Sequence, residues 1–345
     1  MLDDLKLIHE RDAQDALGIA EKQWQQLTYA FTLKGNVTFG DIDNVVYAGM
    51  GGSALAAQFI GSWPTVEKPF EIVRGYELPT YVDGHTLVIV ASYSGNTEEA
   101  LSALADAEEK NAQIVVIAGG GKLQQLAEEK GYAYMQLPKA EQPRYAAFYN
   151  FRALLDILAL AGLADGTSMA RELERASAQL QQAVVRWRPD VPTAHNPAKQ
   201  LALELMGKSV VVYGGPKMYP AAYKWKISFN ENAKHVAWVG QLPEFNHNEF
   251  LGWSKQPTDK PYAVIDLRSN LEHERVQKRF AVTARLLSGM RPEPHVVDPQ
   301  GETVLEQLLW TAVFGDFVTI YLAILNGLNP APVALVEKFK AEMNA

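Results

Sequence analysis

From Asn44 to Leu137 the chain repeats one pattern, a short β-branched run, a glycine turn and then a helical segment, and that alternation leaves few folds open. The strand candidates are Asn44 to Ala48, Phe70 to Val73, Thr86 to Ala91, Gln113 to Ala118 and Ala133 to Leu137. Helical patterns at Thr97 to Glu109 and Lys122 to Lys130 separate the later ones. Such alternation specifies parallel βαβ units with helices on both faces. The unbroken apolar run Leu87-Val88-Ile89-Val90 suits a strand buried on both sides. A second pass starts near residue 200. Ser209 to Tyr213 reads as a strand, Gly214-Gly215-Pro216 as its turn, and Ala221, Trp225 and Phe229 continue as a helix. Tyr262 to Leu267 and His295 to Val297 are its later strands.

A length of 345 residues accommodates two such α/β domains. The expected division is an N-terminal domain over 1–152 with a leading helix, a helical linker over 153–195 closed by Pro189 and Pro192, and a C-terminal domain over 196–345. The apolar stretch Phe317 to Val336 is interrupted by Asn326, Gly327, Asn329, Pro330 and Pro332, so the long helix from Thr303 to Leu325 reads as a buried core helix, not a membrane span. A net charge of −8 argues against nucleic-acid binding. The absence of cysteine removes disulfides, thiolate nucleophiles and Cys-ligated zinc. The acidic start Met1-Leu2-Asp3-Asp4 reads as no secretory signal, so a cytoplasmic location is expected.

Gly49-Met50-Gly51-Gly52-Ser53-Ala54 stands where a strand hands over to a helix, a place suited to an anion. Alone it reads equally as a tight turn, or as the loose dinucleotide fingerprint G-x-G-x-x-G/A. Ser92-Tyr93-Ser94-Gly95-Asn96-Thr97 follows another buried strand. Ser94 or Thr97 could be a helix N-cap, but capping does not account for three hydroxyls and a glycine in six residues at the carboxyl end of a strand. A phosphate does. The dinucleotide reading weakens further because the second strand ends at Arg74, where an acid is wanted.

Gly51-Gly52-Ser53 with Ser92-x-Ser94-Gly95-Asn96-Thr97-x-Glu99 resembles the sugar isomerase (SIS) domain. The resemblance implies a five-stranded parallel sheet in a flavodoxin-like three-layer αβα fold, with Gly51, Gly52, Ser53, Ser92, Ser94 and Thr97 holding the phosphate of a sugar phosphate. Gly119-Gly120-Gly121 looks like the glycine turn that such domains carry before their next helix, with no catalytic role expected.

Further on, Asn230-Glu231-Asn232-Ala233-Lys234 and Pro243-Glu244-Phe245-Asn246-His247-Asn248-Glu249 concentrate polar groups. By composition they are a solvated helix end and a surface turn. Together they resemble the bifunctional phosphoglucose/phosphomannose isomerases, a family with two SIS domains. That resemblance implies Glu231 as the base, and His247 as the ring-opening group contributed by a neighbouring subunit of a homodimer. It also implies Arg144 of Gln142-Pro143-Arg144 as the enediolate-stabilising cation, and Lys340 (with Lys338 one register slip away) as a C-terminal active-site lysine. No metal or organic cofactor is expected. In Asn329-Pro330-Ala331-Pro332, relatives commonly have threonine where Ala331 stands, which weighs against the mannose epimer. A non-catalytic phosphosugar sensor, or a SIS isomerase for another sugar phosphate, stays open.

Overall fold

A computed structural model describes residues 1–343 except 36–37, 64–65, 141 and 256–260. The chain forms two compact units. One is continuous, Gln23–Ala178. The other joins Met1–Lys22 to Gln179–Ala345. The leading residues, expected with the first domain, thus group with the C-terminal part, and residues 153–178, expected in a linker, belong to the first unit. In the discontinuous unit α1 (Leu5–Arg11) and α2 (Ala16–Glu21) belong to the same core as the long apolar helix that ends at Leu325, where the Arg11 guanidinium donates to the Ile324 carbonyl.

The continuous unit contains β1 (Leu33–Lys34), β2 (Asn44–Gly49), α3 (Gly51–Ser62), β3 (Phe70–Val73), β4 (Thr86–Ser92), α4 (Glu98–Glu109), β5 (Gln113–Ala118), α5 (Gly121–Lys130), β6 (Ala133–Gln136) and α6 (Ala147–Leu160). Helix α7 (Gly166–Val184) begins in it. The sheet order is β1-β6-β5-β4-β2-β3. Five strands are parallel, as expected, and β1 adds an antiparallel edge too short to leave a sequence signal. Every residue of β4 is buried, which its apolar run required. The chain order reverses direction between β2 and β4. This is the switch point at which open α/β sheets bind ligands, outside the carboxyl ends of the strands.

The other unit continues with α8 (Pro197–Leu205), β7 (Ser209–Gly214), α9 (Tyr219–Glu231), β8 (Ala237–Gln241), α10 (Glu249–Ser254), β9 (Tyr262–Leu267), α11 (Glu274–Leu286), β10 (His295–Val297), α12 (Val304–Leu325) and α13 (Ala334–Met343). Its sheet is four-stranded and parallel, β10-β9-β7-β8, one strand fewer than the resemblance implied. Strand β8 was not legible in the sequence. Helix α12 is the one helix among the described residues long and apolar enough to cross a membrane, and that stretch is wholly buried. A capping box starts it: Thr303 Oγ1 accepts from the Glu306 N–H, and the Glu306 carboxylate accepts from the Thr303 N–H at 3.2 Å. Along the α12 face towards α9, Gly315 makes room for Trp225, whose Nε1 donates to the Thr311 carbonyl at 2.7 Å. One turn further, the Lys224 ammonium donates to the Asp316 carboxylate, which also accepts from Ser228 Oγ at 2.8 Å. This pair is buried, with both side chains 1% exposed.

Candidate functional site

The cradle sits at the switch point of the continuous unit. Helix α3 begins with Gly51 at φ +50°, and its N-cap position is Met50, which has no side-chain acceptor to offer the first-turn N–H groups. The Ser53 N–H turns back to the Met50 carbonyl at 3.0 Å, so it is the N–H groups of Gly51 and Gly52 that no side chain caps at the carboxyl edge of the sheet, which favours an anion there. Ser53 is buried, and its Oγ accepts from the Tyr93 N–H at 3.1 Å, joining the two loops. Below it, the Ser53 carbonyl accepts from Tyr47 Oη at 2.8 Å and from Asn150 Nδ2 at 3.1 Å.

The second loop departs from simple capping. Thr97 occupies the N-cap position of α4 but makes no side-chain cap bond. Its hydroxyl instead lies 2.7 Å from Ser92 Oγ, and Ser94 Oγ lies 3.4 Å from the same atom. Ser92 Oγ also accepts from the Gly95 N–H at 3.1 Å. Three hydroxyls are thus gathered into one cluster at the end of β4, beside a helix start that none of them caps.

What holds this loop in shape is the turn Gly119-Gly120-Gly121, a role sequence reasoning did not assign. A Cβ on Gly95, at φ +69°, would lie 1.8 Å from the Gly120 carbonyl oxygen, and one on Gly121 would lie 2.3 Å from the Ser94 carbonyl oxygen. The Asn96 side chain accepts from the Lys122 N–H at 3.0 Å, and the Gly95 carbonyl accepts from the Leu123 N–H at 2.9 Å. The two turns interlock with no room for a side chain between them.

Arg144 belongs to the same neighbourhood. A Cβ on Gly52 would stand 3.3 Å from the Arg144 N and Cα, so the first turn of α3 lies against its backbone. Arg144 is 2% exposed, and its guanidinium lies 4.6 Å from the centre of the Tyr145 ring. The aromatic run after Arg144 has structural uses: Phe148 and Phe151 pack on Phe59 of α3, and Tyr145 supports the arginine.

In the discontinuous unit, the residues around Glu231 are anchored. Asn230 Oδ1 accepts from the Ala237 N–H at 3.1 Å, and Asn232 Nδ2 donates to Thr319 Oγ1 at 3.0 Å. Lys234 Nζ donates to the Asn329 carbonyl at 2.8 Å and the Pro330 carbonyl at 3.1 Å. The motif therefore fixes the end of α9, where Glu231 is half-buried, and ties it to the turn that contains Ala331. Similar anchoring surrounds His247. Asn248 Nδ2 donates to Glu244 at 2.6 Å, Asn246 Nδ2 donates to Thr283 Oγ1 at 2.8 Å, and the Glu249 carboxylate accepts from Tyr213 Oη. His247 itself is exposed and has no hydrogen-bond partner among the described residues. Lys338 and Lys340 lie on α13, all of whose residues are exposed; Lys338 pairs with Glu342 at 3.7 Å.

Glu231 and His247 are not neighbours within this unit. Helix α9 descends from the carboxyl end of β7 and delivers Glu231 to the amino-terminal edge of the sheet, beside Ala237. Strand β8 then climbs back, and His247 follows its carboxyl end, where the Leu242 N–H donates to the Gly214 carbonyl. At about 3.3 Å per residue, the path from Ala237 to Leu242 separates the two edges by about 17 Å.

The switch point of this second sheet lies between β7 and β9, and a protein carboxylate fills it. Glu272 Oε1 accepts from the Lys217 N–H at 2.8 Å and the Met218 N–H at 3.3 Å, and a Cβ on Gly215 would lie 2.4 Å from it. Burial raises the pKa of Glu272 above the ordinary glutamate value, with the two N–H groups and Lys217 opposing. Replacing Glu272 with Ala removes the acceptor of both N–H groups and should cost about 1–3 kcal/mol, read as a lower Tm. Glu272→Gln keeps a carbonyl oxygen there and should lose less. Equal losses would show that packing, not hydrogen bonding, is what the residue contributes.

The chain thus carries two doubly wound sheets, one with three clustered hydroxyls beside an uncapped helix start at its switch point. Residues 39–161 match the SIS domain, and residues 194–343 match the bacterial phospho-glucose isomerase C-terminal SIS domain. The bifunctional phosphoglucose/phosphomannose isomerase of Caldicellulosiruptor bescii is 35% identical over 318 residues, 89% of this chain and 91% of that protein. The chain belongs to the bifunctional phosphoglucose/phosphomannose isomerase family. A D-glucosamine-6-phosphate 4-epimerase of Sulfolobus acidocaldarius is 32% identical over 301 residues, 86% of this chain and 88% of that one. Among solved structures, a glucose-6-phosphate isomerase-like protein of Thermus thermophilus shares the fold, with a TM-score of 0.64 at 19% identity over 98% of each chain.

Proposed function

We propose that the chain interconverts glucose 6-phosphate and fructose 6-phosphate, and mannose 6-phosphate to a lesser extent, by proton transfer through a cis-enediol. Its relatives' names support the reaction. The observation that carries the substrate class is Thr97, which stands at a helix start and turns its hydroxyl to Ser92 instead of capping. Ser53, Ser92, Ser94 and Thr97, with the N–H groups of Gly51 and Gly52, take the phosphate. Glu231 moves the proton between C2 and C1, Arg144 steadies the enediolate charge, and Lys340 adds a cation. His247 assists ring opening from a second copy of the chain. The 17 Å sheet-edge separation estimated above supports that sharing, because one unit cannot bring its own Glu231 and His247 to one sugar carbon. A cytoplasmic setting fits a chain with no cysteine. The reduced mannose activity follows from Ala331, which is buried in the turn held by Lys234.

Fructose 6-phosphate consumption coupled to glucose-6-phosphate dehydrogenase tests the reaction. Sharing is tested by co-expressing Glu231→Gln with His247→Ala: mixed dimers hold one intact site and should recover up to half the wild-type activity per dimer. An inactive wild type on both hexose epimers would overturn the isomerase reading. Turnover of glucosamine 6-phosphate to its C4 epimer would then assign the chain to the chemistry of its Sulfolobus relative instead.

A further inference from the structure

One buried tyrosine holds both feet of the turn that carries His247. Tyr213 lies near the carboxyl end of β7, opposite Gly240 of β8, and is 1% exposed. Its ring meets that of Phe245 edge-on, with centres 4.7 Å apart, and its hydroxyl donates to the Glu249 carboxylate. Phe245 and Glu249 stand two residues to either side of His247. The arch Asn246-His247-Asn248 is therefore fixed at each end to the same side chain. Gly240 is what lets the carboxylate reach it. A Cβ there would lie 2.5 Å from the Tyr213 ring and 3.2 Å from Glu249 Oε2, so a side chain on β8 would stand where the pair meets.

The tyrosine is itself held. Its hydroxyl accepts from Trp253 Nε1 at 3.0 Å, and the Arg291 guanidinium lies 5.7 Å from its ring centre and 5.9 Å from that of Phe245. Burial, and then the Glu249 charge, raise the pKa of the Tyr213 hydroxyl, so it keeps its proton and stays the donor. A solvated surface turn needs none of this. Glu249 is exposed, yet its carboxylate is committed to a buried hydroxyl, and the arch so restrained presents His247 to solvent. We propose that Tyr213 and Glu249 are positioning residues for His247, fixing where its imidazole stands and acting through it. The proposal rests on the reading of His247 as the ring-opening group and adds what aims it. Aim matters because a displacement of about 1 Å can cost a positioned group about 10²-fold in rate.

Tyr213→Phe keeps the ring and removes only the hydroxyl, while Glu249→Ala removes the carboxylate from an exposed position. Each should lower kcat for glucose 6-phosphate by about 10–100-fold with KM nearly unchanged. Glu249→Gln still offers the hydroxyl an oxygen and should recover most of that loss. The kinetic isotope effect of deuterium at C2 should shrink in Tyr213→Phe and Glu249→Ala, because slower ring opening hides the proton transfer. A displaced Glu231 would enlarge it. In a His247→Ala background neither change should cost more than about 2-fold further, since residues that act as a unit are not additive. Losses of full size in that background, an enlarged isotope effect, or wild-type rates in both single variants would overturn the positioning role while leaving His247 its own. A His247→Ala enzyme turning over at the wild-type rate would instead remove the ring-opening assignment, and this proposal with it.

Discussion

Glu231→Gln should lower kcat for fructose 6-phosphate by about 10²–10⁴-fold, the range by which a positioned general base accelerates proton transfer. KM should change little, because the proposed phosphate contacts are Ser53, Ser92, Ser94 and Thr97, none of which the substitution alters. The neighbouring side chains make the test clean. Asn230, Asn232 and Lys234 fix the end of α9 through their own hydrogen bonds, so the amide should occupy the carboxylate's place without moving the backbone. Ser94→Ala is the contrasting variant, expected to raise KM with kcat nearly intact. If the Gln variant keeps full activity, Glu231 is not the base, whatever becomes of the isomerase assignment.

The largest loss of stability should follow Asp316→Ala. The carboxylate is buried and answers the Lys224 ammonium and Ser228 from the middle of α12. Removing the carboxylate takes away the charge to which the buried Lys224 ammonium donates, at a cost of about 3–5 kcal/mol. At about 2–4 °C per kcal/mol for a unit of this size, Tm should fall by about 6–20 °C in calorimetry. The double change Lys224→Met with Asp316→Leu removes both charges and should recover most of the loss. Recovery would show that the pair sets the specificity of the α9–α12 contact more than its strength. Because α9 ends at Glu231, the single variant should also lose activity before it unfolds.

The five parallel strands of the first sheet were legible nearly to the residue, β2, β4 and β5 because they are largely buried apolar runs, whereas β1 is too short to leave a signal. Thr97 was legible only as an ambiguity: the same residue type caps helices and binds anions, and the direction of its hydroxyl is a tertiary fact. Strand β8 escaped notice because Trp238 faces solvent and Gly240 breaks the apolar pattern. The turn Gly119-Gly120-Gly121 gave no hint of its partner, since its fit depends on the Gly120 carbonyl oxygen lying against Gly95 and the Ser94 carbonyl oxygen against Gly121. Glu272 reads as an ordinary acid near a helix start until the turn at Gly215 is folded against it. Family resemblance assigned Glu231 and His247 their roles, and no local pattern would have revealed that β8 places them on opposite edges.

The division of the chain bears on its synthesis. Gln23–Ala178 is one unbroken stretch and has all its own strands once its last residue leaves the ribosome. The first 22 residues belong to the other unit, together with α12, which ends at Leu325. At about 5–20 residues per second, α1 and α2 wait about 15–60 s for the helix that completes their core. A fragment ending before residue 304 strands them, however well the first-made unit has folded. A nonsense mutation or stalled ribosome late in the message should therefore yield a protease-resistant middle with a frayed amino terminus.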